Sequence, residues 1–218
     1  MRSKAKILLF LLLITILSGC ARGRVFVLGV GYTKEAEPPR PPEGARVVSL
    51  ALSQLEDARQ IKDKIGIRRA YGERPDYFQL SGVILEDILT KGVESQLRRA
   101  GMEPIMVPRW DLRPETLPDL PQDYLLGGKL TSLWTDVDTS VGGNKVKVKV
   151  ELELALASIR DKRVVWRNVI TSTKEFRDPF YMTGRVQGAL NDALSNAINR
   201  ILYNTDLQRL LWGKPVSG

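Results

Sequence analysis

The chain contains no histidine. That absence removes the usual general base, the imidazole half of Ser-His and Cys-His nucleophile pairs, and the commonest zinc ligand. Cysteine occurs once, at Cys20, so one copy can assemble neither a disulfide framework nor a cysteine-built zinc site. Long apolar runs are scarce as well. Ile7 to Leu17 is interrupted by Thr15 and is too short for a bilayer core of about 30 Å, which asks for about 20 apolar residues. Carboxylates, lysines, hydroxyls and tyrosines remain for catalysis, which leaves an enzyme well behind a binding role. No metal is expected.

What is present begins with an export signal. Arg2, Lys4 and Lys6 precede the apolar run, and Leu17-Ser18-Gly19-Cys20 closes it. These are the three parts of a secretory signal peptide over residues 1–19, and small residues before the cut let a peptidase take the chain in extended form. The Leu-Ser-Gly-Cys tetrad resembles the bacterial lipobox at all four positions. The resemblance implies cleavage between Gly19 and Cys20, a diacylglycerol on the Cys20 sulfur and a further acyl group on its new amino terminus, with no other cofactor. One acyl chain anchors marginally, whereas two or three hold a protein on a membrane for its lifetime. Ala21 follows the cysteine, where enterobacterial lipoproteins use Asp for inner-membrane retention, so the expected place is the outer membrane, facing the periplasm. The competing reading, an ordinary buried cysteine beside a conventional cleavage site, leaves the coincidence of apolar run and lipobox unexplained.

About 199 residues follow the cut, enough for one domain with a real core. The composition, 43% hydrophobic and 27% charged, is that of a globular protein. Of the net charge of +8, the signal's three basic residues carry +3. The basic remainder suits anionic lipid or glycan, or simply solubility, and nucleic acid is not an expected partner of an exported chain. Residues 20–45 read as a lipidated N-terminus and tether. Within it, Val25 to Val30 forms an edge strand or lies against the domain. Glu35 to Gly44, with four prolines, is a semi-rigid spacer of about 31 Å at ~3.1 Å per residue. Residues 46–212 form a single domain and 213–218 a tail.

Inside the domain, Val48, Leu50 and Leu52 alternate with Ser49, Ala51 and Ser53 as a half-buried strand. Residues 55–80, with Gly66, Gly72 and Pro75, read as a long loop. A helix is expected over Val83 to Ala100, with Leu85, Leu89, Val93 and Leu97 on one stripe. Gly92 inside it costs about 1 kcal/mol against Ala unless a neighbour approaches closely. Glu103 to Val107 is a short strand, followed by a proline-bearing connection over 108–121. Strands follow at Tyr124 to Val137, at Val146 to Leu156 with six alternating apolar residues, and at Val164 to Lys174, the first two joined at Gly142-Gly143-Asn144. A helix at Thr183 to Leu202 and a terminal turn at Asp206 to Trp212 complete the chain. The expected class is α+β: a mostly antiparallel sheet of four to five strands, two helices on its apolar face, and the Lys/Glu face in water.

Several short motifs resemble the YajG-type bacterial outer-membrane lipoproteins. They are the lipobox, the post-cysteine strand ending in Tyr32, Asp57-Ala58-Arg59, and Ile65-Gly66-Ile67-Arg68. Leu190-Asn191-Asp192-Ala193-Leu194, Ile201-Leu202 and Asp206-Leu207 complete the set. The chain is more loosely similar to the auxiliary lipoproteins of ABC-type lipid transporters. The resemblance implies a membrane-tethered module without catalysis, partnered by an envelope protein or, alternatively, by a lipid or lipopolysaccharide transport system. A histidine-free cell-wall hydrolase is the remaining alternative.

Candidate contacts are few. Asp57, Arg59, Arg68 and Arg69 either clamp an anion or a partner carboxylate, or pin the 55–80 segment, and the second is favoured. Leu207, Leu210, Leu211 and Trp212 either bind a partner or cap the core. The Lys145, Lys147, Lys149 row keeps a sheet face soluble. Glu86-Asp87 and Glu151/Glu153 are not arranged as an acid/base pair.

Overall fold

The computed structural model describes residues 23–33, 37–45 and 48–213. The signal, the lipobox and Cys20 lie outside the described residues, as does most of the expected tail. In chain order the strands are β1 (Val25–Leu28), β2 (Leu50–Ser53), β3 (Glu56–Asp57), β4 (Gly66–Ala70) and β5 (Asp76–Leu80). Then come helix α1 (Leu85–Arg99), β6 (Ile105–Val107), β7 (Tyr124–Ser140), β8 (Gly143–Ser158) and β9 (Arg163–Asp178). The chain finishes with α2 (Thr183–Asn199) and α3 (Thr205–Trp212).

β7 organises the sheet. One edge pairs antiparallel with β8 along its whole length, and β8 pairs with β9. The other edge is shared, bottom to top, by three strands that all run parallel to it. β2 meets Tyr124 to Leu126, β3 meets Lys129 and Leu130, and β4 meets Thr135 to Thr139. β6 extends the lower limb beyond β2. β5 and then β1 extend the upper limb beyond β4, β5 antiparallel to β4 and β1 parallel to β5. Register shifts at Leu130/Ser132 and at Leu156/Ala157 insert an extra residue, which bends a strand and increases its twist. The sheet curls into a half-barrel.

This corrects the expected architecture. Among the described residues the sheet has nine strands of mixed direction and is accompanied by three α-helices, rather than four to five mostly antiparallel strands with two helices. The 55–80 segment, expected as a loop, supplies β3, β4 and β5. These strands carry no apolar alternation because their polar side chains are answered by ion pairs. Arg68 meets Asp76 at 3.0 Å and Arg69 meets Asp136 at 3.1 Å. The expected terminal turn is α3, capped by Asn204, whose side chain accepts the Leu207 N–H at 2.9 Å.

α1 and α2 line the concave face, where Val146, Val148, Val150, Leu152, Leu154 and Leu156 of β8 are all buried. Gly92 lets the helices close. A Cβ there would stand 2.9 Å from Ile198 Cδ1, so the propensity lost at Gly92 is offset by packing. The opposite face is only partly in water. At the lower end the proline-bearing segment folds over it, and Trp110 and Leu112 pack with Ala51, Leu125, Ala155, Ala157 and Ile159. β2 is therefore buried at all four residues, not on one face only. The lysine row does face water, with Lys145 paired to Glu175 at 2.9 Å and Lys149 to Glu151 at 3.0 Å.

The entry of the chain also differs from a free tether. β1 is hydrogen-bonded into the sheet, and the proline-rich segment comes after it. Pro38 is buried, and the Tyr203 hydroxyl donates to the Glu37 carbonyl at 2.8 Å. Val48 N–H then donates to the Leu211 carbonyl at 3.2 Å. The prolines thus connect β1 to β2 around the lower end of the domain instead of standing ahead of the sheet as the expected spacer.

Candidate functional site

The expected contact residues are dispersed. Asp57 and Arg59 form a buried fork, Nε to Oδ1 at 2.8 Å and Nη2 to Oδ2 at 2.8 Å. Arg59 also donates to the carbonyls of Lys64 at 3.2 Å and Lys62 at 3.4 Å, so the pair pins the 60–64 loop. Burial alone would raise the Asp57 carboxyl, but the hydrogen bonds and charge of Arg59 outweigh it and hold the group below its usual 3.8. Arg68 and Arg69 are neighbours on a strand and point to opposite faces. Arg68 turns inward to Asp76, while Arg69 lies outside against Asp136 and Asp138. No four-residue anion clamp is assembled from them. Leu207, Leu211 and Trp212 are buried in the core, so α3 caps the domain and these three side chains offer no surface to a partner.

The upper end of the half-barrel carries a polar belt that joins five strands, the residue ahead of β1 and a helix. Arg24 N–H donates to Asp76 Oδ1 at 2.7 Å, and Arg68 Nη1 donates to Asp76 Oδ2 at 3.0 Å. Arg68 Nε donates to Thr139 Oγ1 at 3.2 Å, and that hydroxyl donates to Asn144 Oδ1 at 2.8 Å. Asn144 Nδ2 then donates to the Asp178 carbonyl at 3.1 Å, and Arg185 Nη1 to Asp178 Oδ1 at 2.7 Å. Asp76, Asn144 and Asp178 are buried. Tyr181 packs between this belt and the core. Its ring lies 5.5 Å from that of Phe26 and 4.3 Å from the Arg68 guanidinium. Burial pushes the Tyr181 phenol up.

A second arrangement holds the entering chain. Gln187, Asn191 and Ser195 lie four residues apart on α2. Their side-chain oxygens accept the N–H groups of Gly29 at 2.9 Å, Gly31 at 3.1 Å and Thr33 at 3.2 Å. Two residues of extended chain advance about 6.7 Å and four helical residues about 6 Å, so the two repeats keep step over this length. The helix flank serves segment 29–33 as a strand edge would. The next position in the series, Asn199, accepts from the Tyr32 hydroxyl at 2.6 Å and from Gln96 Nε2 at 2.7 Å. The polar i, i+4 spacing beside the apolar stripe was the available signal for this seam. Replacing Gln187, Asn191 and Ser195 together by alanine is expected to cost about 1 kcal/mol per lost bond. It should also raise amide exchange selectively at residues 29, 31 and 33, which hydrogen-exchange mass spectrometry checks.

At the lower end a cleft of about 370 Å³ separates α1 from β6. Met106, Val107 and Pro108 form one wall, and Thr90, Lys91 and Glu94 of α1 contribute to the other. β6 is an outer strand, with Ile105 and Met106 exposed beside the cleft. Apolar wall, flanking charges and an open strand edge suit an extended polypeptide added alongside β6. No group of three or more acidic or cysteine side chains able to hold a metal occurs among the described residues. None of the described helices is long and apolar enough to cross a membrane.

The fold and its two polar seams define a class: a small curled-sheet domain in which the segment after the entering strand is fastened to a helix. No family model matches the chain, and no curated protein sequence does. Among solved structures, a protein of Xanthomonas campestris described under the family model DUF330 is 15% identical, with a TM-score of 0.55 over 85% of this chain and 96% of that one. The likeness is one of fold. Lipoprotein GNA1162 of Neisseria meningitidis is 13% identical, with a TM-score of 0.37 over 72% of this chain and 99% of its own. The PelC dodecamer of Paraburkholderia phytofirmans is 16% identical, with a TM-score of 0.35 over 73% and 95%.

Proposed function

We propose that this chain is a lipid-anchored, non-enzymatic binding module of the bacterial cell envelope. Its Cys20 lipids hold it on the periplasmic face of the outer membrane, and the α1–β6 cleft receives an extended segment of an envelope protein. One observation carries the reading: the chain is already fastened to the sheet at Arg24, four residues after the lipobox cysteine. The anchor and the domain are therefore separated by a few residues only, and the described clefts offer a surface for binding rather than a constellation for chemistry. The YajG-type resemblance and Ala21 support the outer membrane.

Mass spectrometry of the mature protein tests the anchor. The expected N-terminal peptide begins at Cys20 and carries diacylglycerol and an amide-linked acyl chain. Cys20→Ala is expected to lose that mass, and its outer-membrane share should fall from nearly all of the protein to background in density-gradient fractions. A wild-type N-terminus without acyl mass would overturn the reading.

A further inference from the structure

Three separate turns meet at the upper end of the half-barrel, and each exposes an apolar side chain. Ala70 pairs with Thr139, which sets Tyr71 beside the β7–β8 hairpin and its Val141. Asn144 pairs with Asp178, which sets Phe180 and Met182 beside the same hairpin. Tyr71 and Val141 are fully exposed, Phe180 is 77% exposed and Met182 56%. The entering chain is at this end too, since Val25 pairs with Tyr77 and Arg24 N–H reaches Asp76. Apolar side chains gathered at one end in this way mark an interaction surface more than scattered ones do.

The charge around them is mixed in a particular way. Arg24, Arg74 and Arg177 are exposed and make no side-chain ion pair among the described residues, while Arg69 and Arg185 are committed to aspartates. Glu73 is the exposed acid of the Tyr71 turn. The polar belt directly below fixes all three turns to one another, so the tips form a rigid set rather than three independent loops.

We propose that this rim is a bilayer-docking surface. Tyr71, Val141, Phe180 and Met182 enter the interfacial zone of the membrane that holds the anchor, and Arg24, Arg74 and Arg177 meet its anionic headgroups. The length of chain outside the domain selects the occupant. From Cys20 to Gly23 the backbone reaches at most about 11 Å, at ~3.6 Å per residue. A lipid-bearing Cys20 thus keeps the rim within that distance of the headgroups, and the proline-rich segment cannot lift it away because it follows β1. Tyrosine favours the headgroup level, and apolar tips flanked by arginine match the chemistry of interfacial binding. The inference rests on the anchor reading for the choice of membrane, yet the two can fail separately.

The test uses the mature protein purified from its own membranes and reconstituted in vesicles of phosphatidylethanolamine and phosphatidylglycerol. A nitroxide is attached at Tyr71→Cys or Val141→Cys, with Met106→Cys as the far-end control. All three positions are exposed, so the label does not disturb the core. Power saturation is expected to show both rim probes several-fold more accessible to oxygen than to a water-soluble nickel chelate, and the Met106 probe the reverse. Water-like values at both rim positions, in a sample whose Cys20 is acylated by mass, would overturn the docking and leave the anchor standing. Bilayer-like values on a chain with unmodified Cys20 would support the docking and remove the anchor. Rim probes shielded equally without vesicles would assign the surface to a second copy and overturn the proposal.

Discussion

Arg59→Ala is expected to lower the folding free energy by about 3–5 kcal/mol at neutral pH, the usual result of removing one partner of a buried ion pair. The Arg59 side chain is 4% exposed and that of Asp57 10%, so the carboxylate left behind has little access to water. The loss also releases the Lys62 and Lys64 carbonyls and with them the 60–64 loop. Acid makes the mechanism visible. In the wild type the Asp57 carboxyl is held below 3.8, so its contribution is complete above that value and fades as the pH falls through the lower folded-state value. In Arg59→Ala burial is opposed only by the charge of Lys62 and raises the carboxyl, so the penalty of the stranded charge disappears on protonation. The gap between variant and wild type should therefore be widest near neutrality and narrow below about pH 4. Urea melts followed by tryptophan fluorescence at several pH values measure both. A gap that does not depend on pH would assign the loss to packing instead.

Gly66→Ala is expected to cost about 3 kcal/mol, at the upper end of what one added methyl does in a packed interior. A Cβ at Gly66 would stand 2.2 Å from the Thr135 carbonyl oxygen and 2.9 Å from Phe78 Cδ2. The oxygen belongs to the spine strand, paired on its far side with β8, so it cannot retreat without moving the sheet. Gly92 offers the contrast. Its added methyl meets the mobile end of the Ile198 side chain, and the helix propensity gained, about 1 kcal/mol, offsets most of the crowding. Denaturant midpoints of the two variants should differ clearly. Equal midpoints would mean that β4 does not lie as close to β7 as described.

These two residues also show what was legible in the sequence. Elements with a local period were readable: β8 from six alternating residues, α1 from its four-residue apolar repeat, and the β7–β8 hairpin from its glycines. Both arms of the fold built on parallel pairing were not. β2, β3 and β4 dock on one edge of β7 from more than sixty residues away, and nothing within Glu56 to Ala70 announces that pairing, since Arg68 and Arg69 occupy positions where an apolar alternation would have spoken. Gly66 read as a breaker because a glycine required by a neighbouring strand looks, in one dimension, like a glycine required by a turn. The candidate contacts divide in the same manner. Asp57 was expected to pair with an arginine and hold the loop against the helix; in the structure its partner is Arg59, two residues on, and the fork holds the 60–64 loop. The upper belt joins residues 24, 68, 76, 139, 144, 178 and 185, whose adjacency exists only after the sheet has curled. The terminal leucines and Trp212 were ambiguous because an amphipathic end serves a core and a partner equally well, and burial alone decides.

The placement of β7 late in the chain has a consequence for assembly. The upper limb (β1, β4, β5) and the lower limb (β2, β6) share no strand, and both close only on the edge that begins at Tyr124. A polypeptide threaded across a membrane amino end first would have more than half its length delivered before that edge arrives. Until then neither limb has the strand edge that joins it to the rest of the sheet. Folding is thus set to finish in a single late step dominated by distant contacts, a slow route that leaves sticky borders uncovered in the meantime.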